Sequence, residues 1–169
     1  MELRQPRLED KSAFLGMLLK FQADGTRISG ASTIWGAAEN NYDQFIALLN
    51  SQESEDAIQC GMGPFKVFFS WEKQELIGIL ALRTTETEAV LTEHGHIGYS
   101  IRPAKRRQGL AKKQLYLGLL KAKEEGFERV LMTCLKENEA SRRTIIANGG
   151  QYEKTQGPYE FYWIDLATI

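Results

Sequence analysis

The run from His96 to Leu135 constrains the fold more than any other part of the chain. A strand ends near Ile101, and Pro103 stops its ladder because proline has no N–H to donate. A basic loop follows. A helix then runs from about Gly109 to Glu125, with Ala111, Leu115, Gly118, Leu119 and Ala122 on one stripe and Lys112, Lys113, Lys121 and Lys123 elsewhere. Gly126 is placed to end it. Glu128 to Leu135 reads as an apolar strand core covered on both faces. Strand, helix and strand in this order form a crossover unit.

The flanking sequence completes a mixed α/β pattern. Glu2 to Gln5 can form a short strand that ends at Pro6, and Leu8-Glu9-Asp10 leads into a helix whose apolar positions are Phe14, Leu15, Leu18, Leu19 and Phe21. A second helix spans about Asn41 to Asn50, with Phe45, Leu48 and Leu49 inward. Strands follow at Phe65 to Trp71, Glu75 to Arg83 and Thr92 to Ile101, the first two joined by a tight turn at Lys73-Gln74. A last helix covers about Glu139 to Asn148, and strands at Gln151 to Lys154 and Tyr159 to Asp165 close the chain. The expected architecture is a mixed, mostly antiparallel sheet of about seven strands with helices on both faces, in one domain over residues 1–169.

The loop between Ile101 and the long helix carries the chemistry. Six basic residues and no acidic one lie between Arg102 and Lys113. The first turn of a helix has free N–H groups and the positive end of the dipole, which make it an anion site. Gly109 has no β-carbon to hold a phosphate away, Ala111 is small, and Arg106 and Arg107 can add charge-assisted hydrogen bonds. Neither a G-x-x-x-x-G-K-[ST] loop nor a G-x-G-x-x-G fingerprint is present, which disfavours a nucleotide-binding domain.

Arg106, Gly109 and Ala111 form an R-x-x-G-x-A pattern that resembles the [Q/R]-x-x-G-x-[G/A] loop of the GNAT superfamily of N-acetyltransferases. Ile101-Arg102-Pro103, the strand Val130 to Cys134, Asn138 and Gly149-Gly150 fit the same family, in what looks like a bacterial branch of it. The resemblance implies that acetyl-CoA binds where the strand ending at Ile101 splays from the strand ending at Leu135. It implies pantetheine contacts at the backbone of Tyr99, Ser100 and Ile101. It also implies a pyrophosphate site at Arg106, Arg107, Gln108, Gly109, Leu110, Ala111 and Lys112, with further cofactor contacts at Asn138, Ser141 and Arg142 or Arg143. The acceptor would be an amine of a small molecule or peptide, held by residues 26–41 and 156–162. Dimers are common among relatives, so a homodimer is expected. The rival reading is a non-catalytic acyl-CoA sensor.

The catalytic groups are less sharply marked. The family's usual acid falls on Ile145, which cannot donate, and its usual base falls on Gly95, which has no side chain. Glu93, His94 and His96 are the substitutes for the base, with water alone as a rival. Strict strand alternation would turn Glu93 to the cleft and both histidines away, and a bulge at Gly95 would reverse this. Tyr99, Tyr152, Tyr159 and Cys134 are the substitutes for the acid. The Ile101 N–H is the expected oxyanion donor. Trp35, Trp71 and Trp163 read as core or cleft walls, and Glu53, Glu55 and Asp56 as a solvated loop.

The remaining composition excludes other classes. A net charge of −1 provides no global field for nucleic acid or an anionic membrane. Cys60 and Cys134 do not make a disulfide framework, residues 1–10 have no apolar signal core, and no stretch approaches ~18 apolar residues. A cytoplasmic protein without a metal is the expectation.

Overall fold

A computed structural model describes residues 1–29, 41–51 and 63–169. Trp35, Glu53, Glu55, Asp56 and Cys60 lie outside the described residues. Strand β1 (Glu2–Arg4) and a 3-10 turn (Leu8–Asp10) lead into α1 (Lys11–Asp24) and α2 (Tyr42–Ser51). The hairpin β2 (Phe65–Glu72) and β3 (Glu75–Arg83) follows, then β4 (Ile97–Ile101), α3 (Leu110–Glu124), β5 (Arg129–Leu135), α4 (Glu139–Ile146), β6 (Gln151–Gln156) and β7 (Tyr159–Asp165). Lys73 and Gln74 both have positive φ, 48° and 67°, which matches the right-handed twist of the hairpin they join.

The seven strands form two antiparallel sheets, β1-β2-β3-β4 and β5-β7-β6. Side chains alternate across the first sheet. Phe65, Val67, Phe69, Ile79 and Ala81 pack under α1 and α2, whereas Phe68, Leu80 and Leu82 pack under α3 and α4 with Val130, Met132 and Ile145. In α1 the buried residues are Phe14, Met17, Leu18 and Phe21, while Leu19 is 64% exposed. Phe14 stacks between Phe45 and Phe69, with centroids 5.1 and 5.3 Å away. Leu19 was an inward position by spacing alone; Met17 takes its place because that face of the helix meets the aromatic cluster.

The expected strand Thr92–Ile101 is shorter than its pattern indicates. Val90 to His94 makes a π-helical turn, which Gly95 ends at φ 63°, ψ 178°, and β4 begins only at Ile97. Alternation therefore does not govern Glu93, His94 and His96.

Candidate active site

Main-chain pairing between the two sheets runs through His96. His96 N–H donates to the Leu131 carbonyl (2.7 Å), and the Leu131 N–H donates back to His96 Nδ1 (2.9 Å). An imidazole thus supplies the acceptor that a neighbouring strand's carbonyl would supply. From Ile97 onward no ladder joins β4 to β5. Arg83 N–H donates to His96 O and Arg102 N–H to Ile77 O. With the Leu80–Tyr99 register, these bonds turn the backbone of Ile97, Tyr99 and Ile101 away from β3, into the gap beside β5. Ser100 instead pairs its backbone with Ile79, and its hydroxyl accepts from Ser29 N–H at 2.7 Å.

On the α3 side of the gap, Pro103–Lys105 makes a 3-10 turn, and Arg107 and Gly109 both adopt left-handed backbone, at φ 61° and 75°. Gly109 is the N-cap of α3 and brings no side chain to cap it, so the first-turn N–H groups face outward. A Cβ on Gly109 would meet nothing within 4 Å, so the glycine is required by its φ and by what approaches from outside. A cleft of about 450 Å³ opens beside it, lined by Lys112, Lys113, Tyr116 and Asn148 among others.

Several of the expected site residues have partners within the protein. Arg106 folds back along the surface toward α1: Nε donates to Ile101 O (3.1 Å), Nη1 to Asp24 (3.0 Å) and Nη2 to Thr26 (2.9 Å). Its guanidinium fastens the loop to the end of α1. Asn138 caps α4 by accepting from Ser141 N–H, Arg143 pairs with Glu139, and Arg142 pairs with Glu160 at 2.6 Å. Gln108 reaches only the Ala104 carbonyl, at 3.4 Å. Leu110 and Ala111 pack inward at the helix start, near Ile77 and Ile101. Tyr152 sits on β6, separated from β5 by β7, with its hydroxyl 2.9 Å from Thr155. That strand order holds it away from the gap.

Ile145 is fully buried and packs in the core between α4 and the sheet. Tyr99 reaches the same helix from β4, its hydroxyl 3.1 Å from Ser141 Oγ. Burial pushes its phenol up to about 12, so it stays protonated at neutral pH. Cys134 is buried beside Glu160, and burial pushes its thiol up to about 11, away from the reactive thiolate.

Glu93 and Tyr159 meet on the opposite face. The Tyr159 hydroxyl donates to Glu93 Oε1 at 3.2 Å, and Thr133 Oγ1 donates to Glu93 O at 2.8 Å. His94 Nδ1 stands 4.0 Å from Glu93 Oε1, and its pKa is lowered by burial and by Arg83. His96 is fully buried, with Nδ1 engaged and Nε2 3.5 Å from Glu86 outside hydrogen-bond geometry. Because Nδ1 accepts, the neutral ring carries its proton on Nε2.

Burial also lowers the His96 pKa below its ordinary 6.5, as it does for His94. The unfolded chain then binds more protons than the folded one as pH falls through 6.5. Stability is full above that value and is lost as pH falls toward the folded pKa. We expect the urea midpoint to drop between about pH 7.5 and 5.5, and His96→Gln, whose Oε1 can accept from Leu131, to flatten much of that drop. An unchanged slope in the variant would assign the effect elsewhere.

One buried residue escaped sequence reading. Gln114 Nε2 donates to Ser70 Oγ (2.7 Å), Ile79 O (3.0 Å) and, at 3.4 Å, Ser100 O. It bolts the start of α3 to β2, β3 and β4 at once. A Cβ on Gly78 would lie 2.8 Å from that amide. A glycine inside an otherwise apolar strand signals such a close approach.

The Acetyltransferase (GNAT) domain model matches residues 1–151. The chain belongs to the GNAT acetyltransferase family. Solved GNAT-like structures agree in fold across its length. Mycobacterium smegmatis RimJ, in complex with CoA-disulfide, has a TM-score of 0.70 at 18% identity, covering 99% of this chain and 82% of that one. The microcin C7 self-immunity acetyltransferase MccE, in complex with acetyl-CoA and AMP, gives 0.64 at 15%, covering 96% and 91%. A Vibrio cholerae spermidine N-acetyltransferase SpeG variant gives 0.65 at 14%, covering 99% and 96%. No curated protein matches the sequence. Among the described residues of this GNAT chain, no cluster of three metal-ligating side chains occurs and no helix is long and apolar enough to cross a membrane.

Proposed function

We propose that this chain moves the acetyl group of acetyl-CoA to a primary amine of a small molecule or peptide by direct attack on the thioester. The observation that carries the reading is the uncapped start of α3 opening on the gap between β4 and β5. The N–H groups from Arg107 to Lys112 hold the pyrophosphate. Lys112, Lys113, Tyr116 and Asn148 receive the adenosine end in the adjoining cleft. The backbone of Tyr99 and Ile101, turned into the gap, pairs with the pantetheine arm.

The amine approaches from the α1–α2 face and attacks the carbonyl carbon. The Ile101 N–H stabilises the developing oxyanion. Glu93, oriented by Tyr159, takes the amine proton directly or through water, with His94 beside it. His96 serves the seam between the sheets. The C–S bond breaks, and the Tyr99 hydroxyl, shared with Ser141, protonates the departing thiolate. Much of the rate comes from holding the two reactants in register.

Thiol release from acetyl-CoA across an amine panel tests the reading. Tight CoA binding without release would support the sensor alternative. Glu93→Gln is expected to lower kcat/KM for the amine about 100-fold and to remove the acidic limb of the pH–rate profile, with the acetyl-CoA KM unchanged. Tyr159→Phe should cost about tenfold. A profile unaltered in Glu93→Gln would remove Glu93 from the proton path.

A further inference from the structure

Arg83 ends β3 and is only 7% exposed, on the face it shares with Ile79 and Ala81. Its Nη1 donates to the Gly95 carbonyl at 3.0 Å, and this is its one side-chain hydrogen bond among the described residues. No carboxylate among them lies within ion-pair distance of it. Arg4, Arg102, Arg106 and Arg142 each have such a partner, although all four are more exposed. A guanidinium has five N–H donors in a planar fork, so among the described residues most of this one's donors have no acceptor. Taking a cation out of water without a counter-charge is unfavourable, and burial lowers the Arg83 pKa to about 10, which still leaves it charged at neutral pH.

The position of this cation gives it meaning. It holds the carbonyl of Gly95, directly after His94 and Glu93. The charges of Arg83 and Arg27 both act on His94, and those of Arg27 and Glu93 act on Tyr159. Arg83 and Glu93 therefore flank the same stretch of chain, with Arg27 and Glu137 also acting on Tyr159 and Glu86 beside His96. An acceptor bearing only an ammonium would match Glu93 and leave the buried Arg83 guanidinium without a counter-charge. We infer that the acceptor carries a carboxylate close to its amine, and that Arg83 binds this carboxylate while Glu93 faces the amine. A free α-amino acid and a peptide beginning with an acidic residue share this chemistry. The inference rests on the acetyltransferase reading above and names its substrate class.

The test uses matched acceptors with the same amine: alanine against alaninamide, and Asp-Ala-amide against Asn-Ala-amide. Each is assayed for acetyl transfer and titrated by calorimetry into the CoA-bound protein. We expect at least one acid to exceed its uncharged partner by 30-fold or more in kcat/KM and in affinity, and the pair in which this occurs identifies the source. Arg83→Met should erase the preference of the acid over its uncharged partner, and Arg83→Lys should restore part of it. The wild-type comparison stands even if Arg83→Met does not fold. Equal binding of acid and uncharged partner in both pairs, or a preference that survives in Arg83→Met, overturns the inference. Failure of CoA itself to bind would overturn the acetyltransferase reading instead.

Discussion

Gly109→Glu is expected to weaken CoA binding at least 100-fold while the protein still folds. The residue sits at φ 75° at the uncapped start of α3, with open space where its Cβ would be. A glutamate there places a negative side chain on the path of the pyrophosphate and reverses the sign of the field at the helix start. The left-handed backbone makes the change cost about 1–2 kcal/mol in stability, or roughly 2–8 °C in Tm. Gly109→Asn is the control, because asparagine tolerates that backbone and adds no charge. Calorimetry with CoA and thermal unfolding of both variants separate the two effects. Full CoA affinity in Gly109→Glu would move the pyrophosphate site away from α3.

Gly95→Ala is expected to have the largest effect on stability, about 3–5 kcal/mol. Two causes add. At φ 63° and ψ 178° the backbone lies in a region that only glycine occupies readily. A Cβ there would also sit 2.8 Å from Leu131 O and 3.0 Å from Thr133 N, both main-chain atoms of a strand that cannot turn aside. The methyl group would wedge the sheets apart at the point where His96 joins them. Urea unfolding measures the loss, and hydrogen exchange at the Leu131 amide shows whether the joint opens first. A variant within 1 kcal/mol of wild type would mean that the π-helical turn can re-form around the methyl group. The same contacts explain why no side chain occupies this position to act as a base.

Much of this was legible from residues alone. The crossover unit was visible because Pro103, Gly109, the Ala111–Leu115–Leu119 stripe and Gly126 each mark a boundary by a local rule. Apolar and aromatic runs on either side of the Lys73-Gln74 turn marked β2 and β3, and the positive charge between Arg102 and Lys113 marked the anion loop. Non-local partners were not legible. Arg106 is basic in a basic loop, yet Asp24 and Thr26, 82 and 80 positions earlier, draw it onto the end of α1. Thr92 to His94 continues an apparent strand, and its π-helical turn is tied down by Thr133 and Tyr159 from the other sheet. His96 read as a candidate base because histidine titrates near neutrality. That Leu131 occupies its Nδ1 depends on the meeting of two sheets, which no local pattern records.

The single-residue joint at His96 has a consequence for how such a protein can change over time. A full ladder between two strands fixes their spacing at every residue, so altering that spacing breaks many bonds together. Here the joint is confined to His96 and the turn before it, and each sheet keeps its own ladders intact beyond it. Substitutions at Tyr99 or Thr133 can therefore widen or narrow the opening without unpairing a strand.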